Sequence, residues 1–466
     1  MGAATWTEPA QVEQRPDDLP LEDGARVAVI GAGPAGSFFA FFLLDLAAKM
    51  GRRIEVDLFE SRDFSRPAPH GCNMCGGIIS ESLVQHLATE GIELPDTVVQ
   101  RGIESYEMHM DVGRVRIETP IREKRIGAVY RGSGPRDIKE RKWLSFDGHL
   151  QDLAVARGAR LRRGRVDDVT RVDGRPTVRL RGEEAEAYDL LAVAVGVNAG
   201  AHKLFEGLGI GYKAPGTTKT FIREYYIGEE EIARCVGDSM HVFLFDMPRL
   251  EFAAVIPKGD YLSVCLLGDE IDDEMVSTFL SHPEVKGCFP EGWAAEARSC
   301  QCSPRISIGQ AEHPYADRVV FVGDCAVTRL YKDGIGAAYR TSKAAARTAI
   351  FEGVSADAFR RRYGPICRSI RRDNGVGRIT FGVTRIIQKL KPARRAVLGM
   401  TIQEQAKAGP KRRMSGVLWD MFTGSSSYTN VFLRTLHPAF LGRLAWHLGR
   451  SVLPGANGQQ EERSEA

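Results

Sequence analysis

The segment Arg26-Val27-Ala28-Val29-Ile30-Gly31-Ala32-Gly33-Pro34-Ala35-Gly36 constrains this chain more than any other. Apolar residues run into Gly31-x-Gly33-x-x-Gly36, and an apolar run from Ser37 to Met50 follows, the order strand, tight turn, helix of a dinucleotide fold. Gly31 allows the turn, Gly33 removes a Cβ from the path of a pyrophosphate, and Gly36 lets helix and strand approach. Phosphate is then held by free N–H groups at the positive end of the helix. A second strand, Ile54–Glu60, ends in a carboxylate about 24 residues past the last glycine, close to the spacing at which an acid reaches ribose hydroxyls. With Pro34, Ala35, Ser61 and Arg62 beside them, these residues make one candidate nucleotide site.

A second block lies far along the chain. Arg318–Val322 reads as a strand, Gly323-Asp324 ends it, and Asp333-Gly334-Ile335-Gly336 opens an alanine-rich helix to about Glu352. The order offers a carboxylate to a ribityl hydroxyl and a helix N-terminus to an electron-rich ring, which suits a flavin whose reduced ring is negative. Between the blocks, alternating segments at Ile103–Tyr130, His241–Phe245, Glu251–Ile256 and Tyr261–Leu267 predict a second, sheet-based domain. Trp143–Ala154 has helical spacing, and Tyr188–Val195 reads as a buried strand.

The expected fold class is therefore α/β (α+β overall). A Rossmann-like FAD-binding domain spans 25–105, 140–200 and 305–356, an antiparallel substrate domain spans 106–139 and 201–304, and a basic helical region spans 357–452. Residues 1–24 read as a loose leader and 453–466 as a disordered tail. Gly207-Leu208-Gly209-Ile210-Gly211 lacks the strand that would make it a second nucleotide loop.

The nine cysteines, without a signal peptide, point to a reducing compartment, and no apolar run nears the ~20 residues of a spanning helix. The expected location is cytoplasmic, with a peripheral place on the inner face of a membrane left open. From Asp357 to Arg450 there are 19 Lys or Arg against 4 Asp or Glu, interleaved with Ile386, Leu390, Leu441 and Trp446. Such helices suit an anionic membrane surface or form a packed cap with a solvated basic face. No recognised nucleic-acid module is present, so a nucleic-acid partner is not expected.

The loop Cys72-Asn73-Met74-Cys75-Gly76-Gly77-Ile78, taken with the two nucleotide blocks, resembles the geranylgeranyl reductase family within the p-hydroxybenzoate hydroxylase-like class of FAD proteins. The resemblance covers roughly residues 25–355 and implies an enzyme that adds hydrogen across isolated double bonds of an isoprenoid or lipid chain. It implies that Gly31, Gly33, Gly36 and Glu60 hold the ADP half of FAD, Asp324 the ribityl-pyrophosphate, and Gly334 with Gly336 the isoalloxazine edge. Cys75, Gly76 and Gly77 would line a loop near flavin and substrate.

The sequence also departs from that family. Trp143 stands where an Arg is common, and Val195-Gly196 where Asp-Gly is common. On the strand ending at Pro257-Lys258, the family's PxxYxWxFPK form is replaced by Arg249, Phe252, Ala254 and Ile256 at the places of Pro, Tyr, Trp and Phe. A wider or different substrate pocket follows, lined by Phe252, Ala254, Ile256 and Pro257.

Cys72-x-x-Cys75 reads as a redox dithiol, half of a metal or iron–sulfur site, a loop with one functional thiol, or two incidental thiols. Cys300-x-Cys302 adds two sulfurs at an unusual spacing, and the sequence assigns no metal site. The reductant is NAD(P)H or a ferredoxin-like electron-donor protein. Two other functions remain: a flavin monooxygenase or halogenase of the same fold, and a flavoprotein that only passes electrons between protein partners or quinone.

Overall fold

The computed structural model describes residues 18–66, 75–120, 126–135, 142–298, 300–407 and 412–452. Its first layer is a six-stranded sheet in the order Tyr315–Ala316, Val319–Phe321, Leu190–Val193, Ala25–Ile30, Ile54–Glu60, Arg160–Arg163. All neighbours are parallel except the Tyr315–Ala316 edge. Parallel strands buried on both faces need continuous apolar sequence, and Val27, Ala28, Val29, Leu190, Leu191 and Ala192 are fully buried.

The helix Pro34–Lys49 packs against the alanine-rich helix Gly334–Phe351. Small residues let the two backbones come close: Ser342 Oγ donates to the Ala35 carbonyl at 2.7 Å. Phe38 and Phe42 close the contact edge-on against Tyr339, with centroids 5.7 and 5.6 Å apart. The return helix begins at Phe146 rather than at Trp143, because Ser145 caps it by accepting from Gly148 N.

The second layer is a seven-stranded sheet in the order Cys300–Cys302, Phe221–Tyr226, Tyr261–Gly268, Leu250–Lys258, Ser239–Phe243, Ser105–Met110, Gly113–Glu118. Only the Ser239–Phe243 and Ser105–Met110 pair runs parallel. Side chains alternate between its faces. Even-numbered Met108, Met240, Val242, Ala254 and Ile256 join the core shared with the C-terminal helices, and odd-numbered Phe243, Ala253 and Val255 join Ile232, Val276 and Phe279 on the far side. A separate three-stranded antiparallel sheet has the order Ile78–Ile79, Ile126–Val129, Val99–Ile103.

The described residues between 356 and 452 form six helices, and Val397, Leu398, Met414, Trp419 and Tyr428 pack into the core of the second sheet. Buried Trp419 donates from Nε1 to the Glu81 carboxylate at 2.9 Å, tying this region to the helix Glu81–Thr89. No helix of the described residues is long and apolar enough to cross a membrane.

The expected loose leader needs correction over its described part. Asp18 and Leu19 carbonyls accept from Ser355 N and Val354 N, Arg361 pairs with Asp18 at 2.8 Å, and Leu21 is buried. Backbone bonding and one apolar anchor outweigh the polar composition there. Residues 1–17, and the expected tail 453–466, lie outside the described residues.

Candidate functional site

A single cavity of about 1060 Å³ runs from the Gly31–Gly36 turn to the even-numbered face of the seven-stranded sheet. It is at the upper end of the ~300–1,000 Å³ typical of small-molecule sites, room for an extended ligand and a second occupant.

At its nucleotide end, Gly31 has φ +99° and a Cβ there would stand 2.6 Å from the Ala194 carbonyl, so the turn admits no side chain. Gly33 caps the helix and Pro34 occupies its first turn, where a missing N–H costs nothing. Glu60 is buried, and its carboxylate accepts from Ala32 N at 3.0 Å and Arg62 N at 2.9 Å. The acid is thereby fixed beside the turn. Gly31, Gly33, Pro34, Ala35, Glu60, Ser61 and Arg62 all line the cavity.

Gly36 does not. A Cβ on it would meet the Gly31 carbonyl at 1.8 Å, so it serves the turn's closure rather than the ligand. Gly323 (φ +68°) likewise packs on the Ala35 methyl, where a Cβ would approach to 2.7 Å, and Gly336 packs on the Asp333 carboxylate. None of these three lines the cavity: Gly36 packs on backbone, and Gly323 and Gly336 pack on side chains, one layer behind its wall. Asp324, Gly334 and Ile335 do line it. Burial pushes the Asp324 carboxyl up, against the pull of the Thr328 hydroxyl and the Arg131 guanidinium.

The middle of the cavity is Cys75-Gly76-Gly77. Gly77 has φ +70°, and a Cβ would lie 2.2 Å from the Val129 carbonyl; a Cβ on Gly76 would press on Cys265 Sγ at 3.1 Å. Close approach and positive φ therefore require glycine at 77, while a side chain at 76 needs Cys265 to give way by a few tenths of an ångström. Cys72 lies outside the described residues. Cys300 and Cys302 sit on an edge strand of the seven-stranded sheet and do not line the cavity, so they are not gathered with Cys75.

At the apolar end, Phe252, Ala254 and Ile256 face the cavity, as their spacing of two requires. Pro257 does not line it: one residue out of that alternation, it belongs to the opposite face of the strand. Strand parity thus removes Pro257 from the expected pocket lining. Trp143 stands outside the cavity too, over Gly259, where a Cβ would fall 2.3 Å from its ring.

Three cavity residues escaped sequence reading. Arg131 lies two residues past the short strand Ile126–Val129 and forms a two-bonded pair with fully buried Asp147, at 2.9 and 3.1 Å. Burial works against its charge, but Asp147, Cys75 and Asp324 together raise its pKa above the ordinary value. Lys332 directs its ammonium toward Phe252, Phe381 and Phe422, with ring centroids 5.0, 5.8 and 5.9 Å away. Burial, helped by the nearby Arg329 charge, lowers its pKa to about 7. Cys265 is a buried thiol pushed up to about 12 by burial, so it remains protonated near neutrality. Arg131 and Lys332 stand next to expected elements, but their partners lie in other elements; nothing local marks Cys265.

No protein-family model and no curated protein sequence matches the chain. Solved structures do. One is a geranylgeranyl bacteriochlorophyll reductase-like protein from Thermoplasma acidophilum, similar at 17% identity and TM-score 0.63 over 89% of this chain and 99% of that one. Others are a flavin-dependent brominase, at 14% identity and TM-score 0.53 over 95% and 98% of the two chains, and a halogenase variant in complex with FAD, at 12% and 0.55 over 95% and 93%. The chain has their fold. In that architecture the described cavity combines backbone donors at two helix starts, buried carboxylates, a buried guanidinium and an apolar wall, a set that can hold a dinucleotide against a hydrophobic second molecule.

Proposed function

We propose that the chain is an FAD-dependent oxidoreductase that reduces carbon–carbon double bonds of a hydrophobic, isoprenoid or lipid, substrate. The supporting observation is the continuity of one cavity from the glycine turn, past Cys75-Gly76-Gly77, to Phe252, Ala254 and Ile256. The residues present fit FAD: a turn that excludes a Cβ at Gly31, a fixed carboxylate at Glu60, a second at Asp324, and a helix start at Gly334.

In this reading Gly31, Gly33, Pro34, Ala35 and Glu60 hold the ADP half, with Gly36 closing the turn. Asp324, on the turn that Gly323 permits, takes the ribityl-pyrophosphate, and Gly334 with Ile335 borders the isoalloxazine. When bound and reduced, FAD supplies hydride. The chain must then supply a proton and exclude water. Lys332 gives up a proton near neutral pH, whereas the Cys265 thiol holds its own, which favours Lys332 Nζ as the source. Phe252 and Phe422 cover that ammonium and keep the apolar end dry. The reductant is NAD(P)H or a ferredoxin-like carrier.

The basic helices 357–452 would rest on an anionic membrane. Ile379, Val383, Ile386, Leu390, Leu441 and Trp446 are exposed there, between the basic residues. Binding to anionic but not neutral vesicles, lost at high salt, checks that placement.

A second reading, a monooxygenase or halogenase, has the brominase and halogenase likeness in its favour. One experiment separates the two: anaerobic photoreduction of bound flavin, then reoxidation by prenyl lipids, quinones and O₂ in parallel. Fastest reoxidation by a prenyl lipid, with a saturated product, is expected. Fastest reoxidation by O₂ with an oxygenated or halogenated product overturns the reductase reading, and failure to bind FAD overturns both.

A further inference from the structure

Behind the seven-stranded sheet, on the odd-numbered face away from the cavity, lies a side-chain cluster that flavin chemistry does not use. His109 and His241 stand on adjacent parallel strands, Ser105–Met110 and Ser239–Phe243. Their imidazoles stack with centroids 5.1 Å apart, and His109 Nε2 lies 2.9 Å from His241 Nδ1. Cys288, two residues past the short helix Pro283–Lys286, brings Sγ to 3.2 Å from the same His241 nitrogen. The three atoms lie within 4.8 Å of one another, on residues only 1%, 8% and 1% exposed.

The outer nitrogen of His109 completes the arrangement. His109 Nδ1 lies 2.8 Å from Glu284 Oε2, and a carboxylate there holds the proton on Nδ1. The lone pair of Nε2 is then turned inward, toward His241 Nδ1 and Cys288 Sγ. This is the carboxylate–histidine pairing that orients imidazoles at metal centres.

We propose that His109, His241 and Cys288 bind a divalent transition-metal ion of the zinc class. Two imidazoles and a thiolate select such an ion over magnesium or calcium, which prefer oxygen. Tetrahedral zinc, with bonds of about 2.0–2.1 Å to nitrogen and about 2.3 Å to sulfur, sets neighbouring ligand atoms roughly 3.3–3.6 Å apart. The observed 2.9 and 3.2 Å reach that spacing by opening about 0.4 Å. Water takes the fourth position, entering beside Glu284, whose side chain is 37% exposed. Binding forms a metal–sulfur bond and releases the Cys288 thiol proton to solvent, with no change in oxidation state. The ion cross-links the 283–288 segment to two strands of the sheet that carries the substrate face.

Metal analysis of the full chain, produced without a polyhistidine tag and loaded with zinc or cobalt before desalting, tests the site. The expected result is about one ion per chain and, for cobalt, a near-ultraviolet thiolate charge-transfer band. Cys288→Ser and His241→Gln lose the ion, while Cys75→Ser and Cys300→Ser keep it. A folded chain that retains no metal, retention by both cluster variants, or bound cobalt without the thiolate band overturns the proposal. Should the cluster variants fail to fold, the wild-type cobalt spectrum decides.

Discussion

The two ends of the cavity are built in opposite ways. At the nucleotide end a turn, a helix start and the end of the next strand do the work, and Ala32 N reaches the Glu60 carboxylate across 28 residues. At the apolar end the wall is assembled from Phe252, Cys265, Lys332 and Phe422, drawn from two strands, a loop and a C-terminal helix. The first end depends on backbone geometry, in which one Cβ is too many. The second depends on side-chain volume and charge, in which substitution retunes rather than destroys. Between them stands Arg131, whose charge acts on Asp324 and on Cys75 in the middle of the cavity.

That contrast can be broken at its centre. Arg131→Met takes the guanidinium away from the buried Asp147 carboxylate, which keeps the Gly132 N–H, and removing one member of a buried pair costs about 3–5 kcal/mol. Urea denaturation measures the loss. Arg131→Met combined with Asp147→Leu should recover much of it, since an apolar pair carries no stranded charge; a double variant as unstable as the single one would show that the ion pair is not the cause. At the nucleotide end, Gly36→Ala sets a Cβ 1.8 Å from the Gly31 carbonyl, an overpacking worth about 2–3 kcal/mol that deforms the turn itself. Flavin absorbance after gel filtration should fall with it. Retention of a full complement of flavin would remove the turn from the site.

How much of this was legible in the sequence follows the same division. Gly31, Glu60, Asp324 and Gly334 were readable because their meaning lies in spacing along one strand and its following turn. Gly36 has the close-packing role its place in the motif predicts, but the ligand contact expected of it, and of Gly323 and Gly336, is not seen: their tight neighbours are protein atoms. Pro257 belongs to the motif strand that ends at Pro257-Lys258, and strand alternation puts it on the other face from the pocket. The His109–His241–Cys288 cluster had no sequence signal at all. Its ligands are separated by 132 and 47 positions, and only the parallel pairing of two strands brings the histidines together. Local geometry is written in neighbouring residues, while a wall or a cluster is written in topology.

At the apolar end the expected effects are smaller and selective. Ala254 faces the cavity at a position where a bulky ring shortens it, so Ala254→Trp should leave flavin content unchanged and slow reoxidation by a long prenyl lipid about tenfold, about 1.4 kcal/mol in barrier. A companion Phe252→Ala, which widens the same end, should shift preference toward bulkier substrates. Equal slowing with O₂ as acceptor would mean that the flavin, and not the substrate wall, had been disturbed.

The smallest effect is a pH dependence that isolates Lys332. Its folded pKa of about 7 is below the ~10.4 of an unfolded lysine, so between those values the unfolded chain binds more protons than the folded one. The cost of burying this group is therefore full below about pH 7 and is relieved as pH rises toward about 10. Lys332→Met removes the titration but keeps the apolar stem against Phe252 and Phe422. Relative to that variant, the wild-type chain should gain about 1 kcal/mol of stability between pH 7 and pH 9, less than the full shift because Lys332 is only half-buried as a residue and its charge is partly screened. Urea denaturation of both proteins at the two pH values reads the difference directly. A constant difference would mean that the ammonium is solvated like any surface lysine and is no better placed than water to give up a proton inside the site.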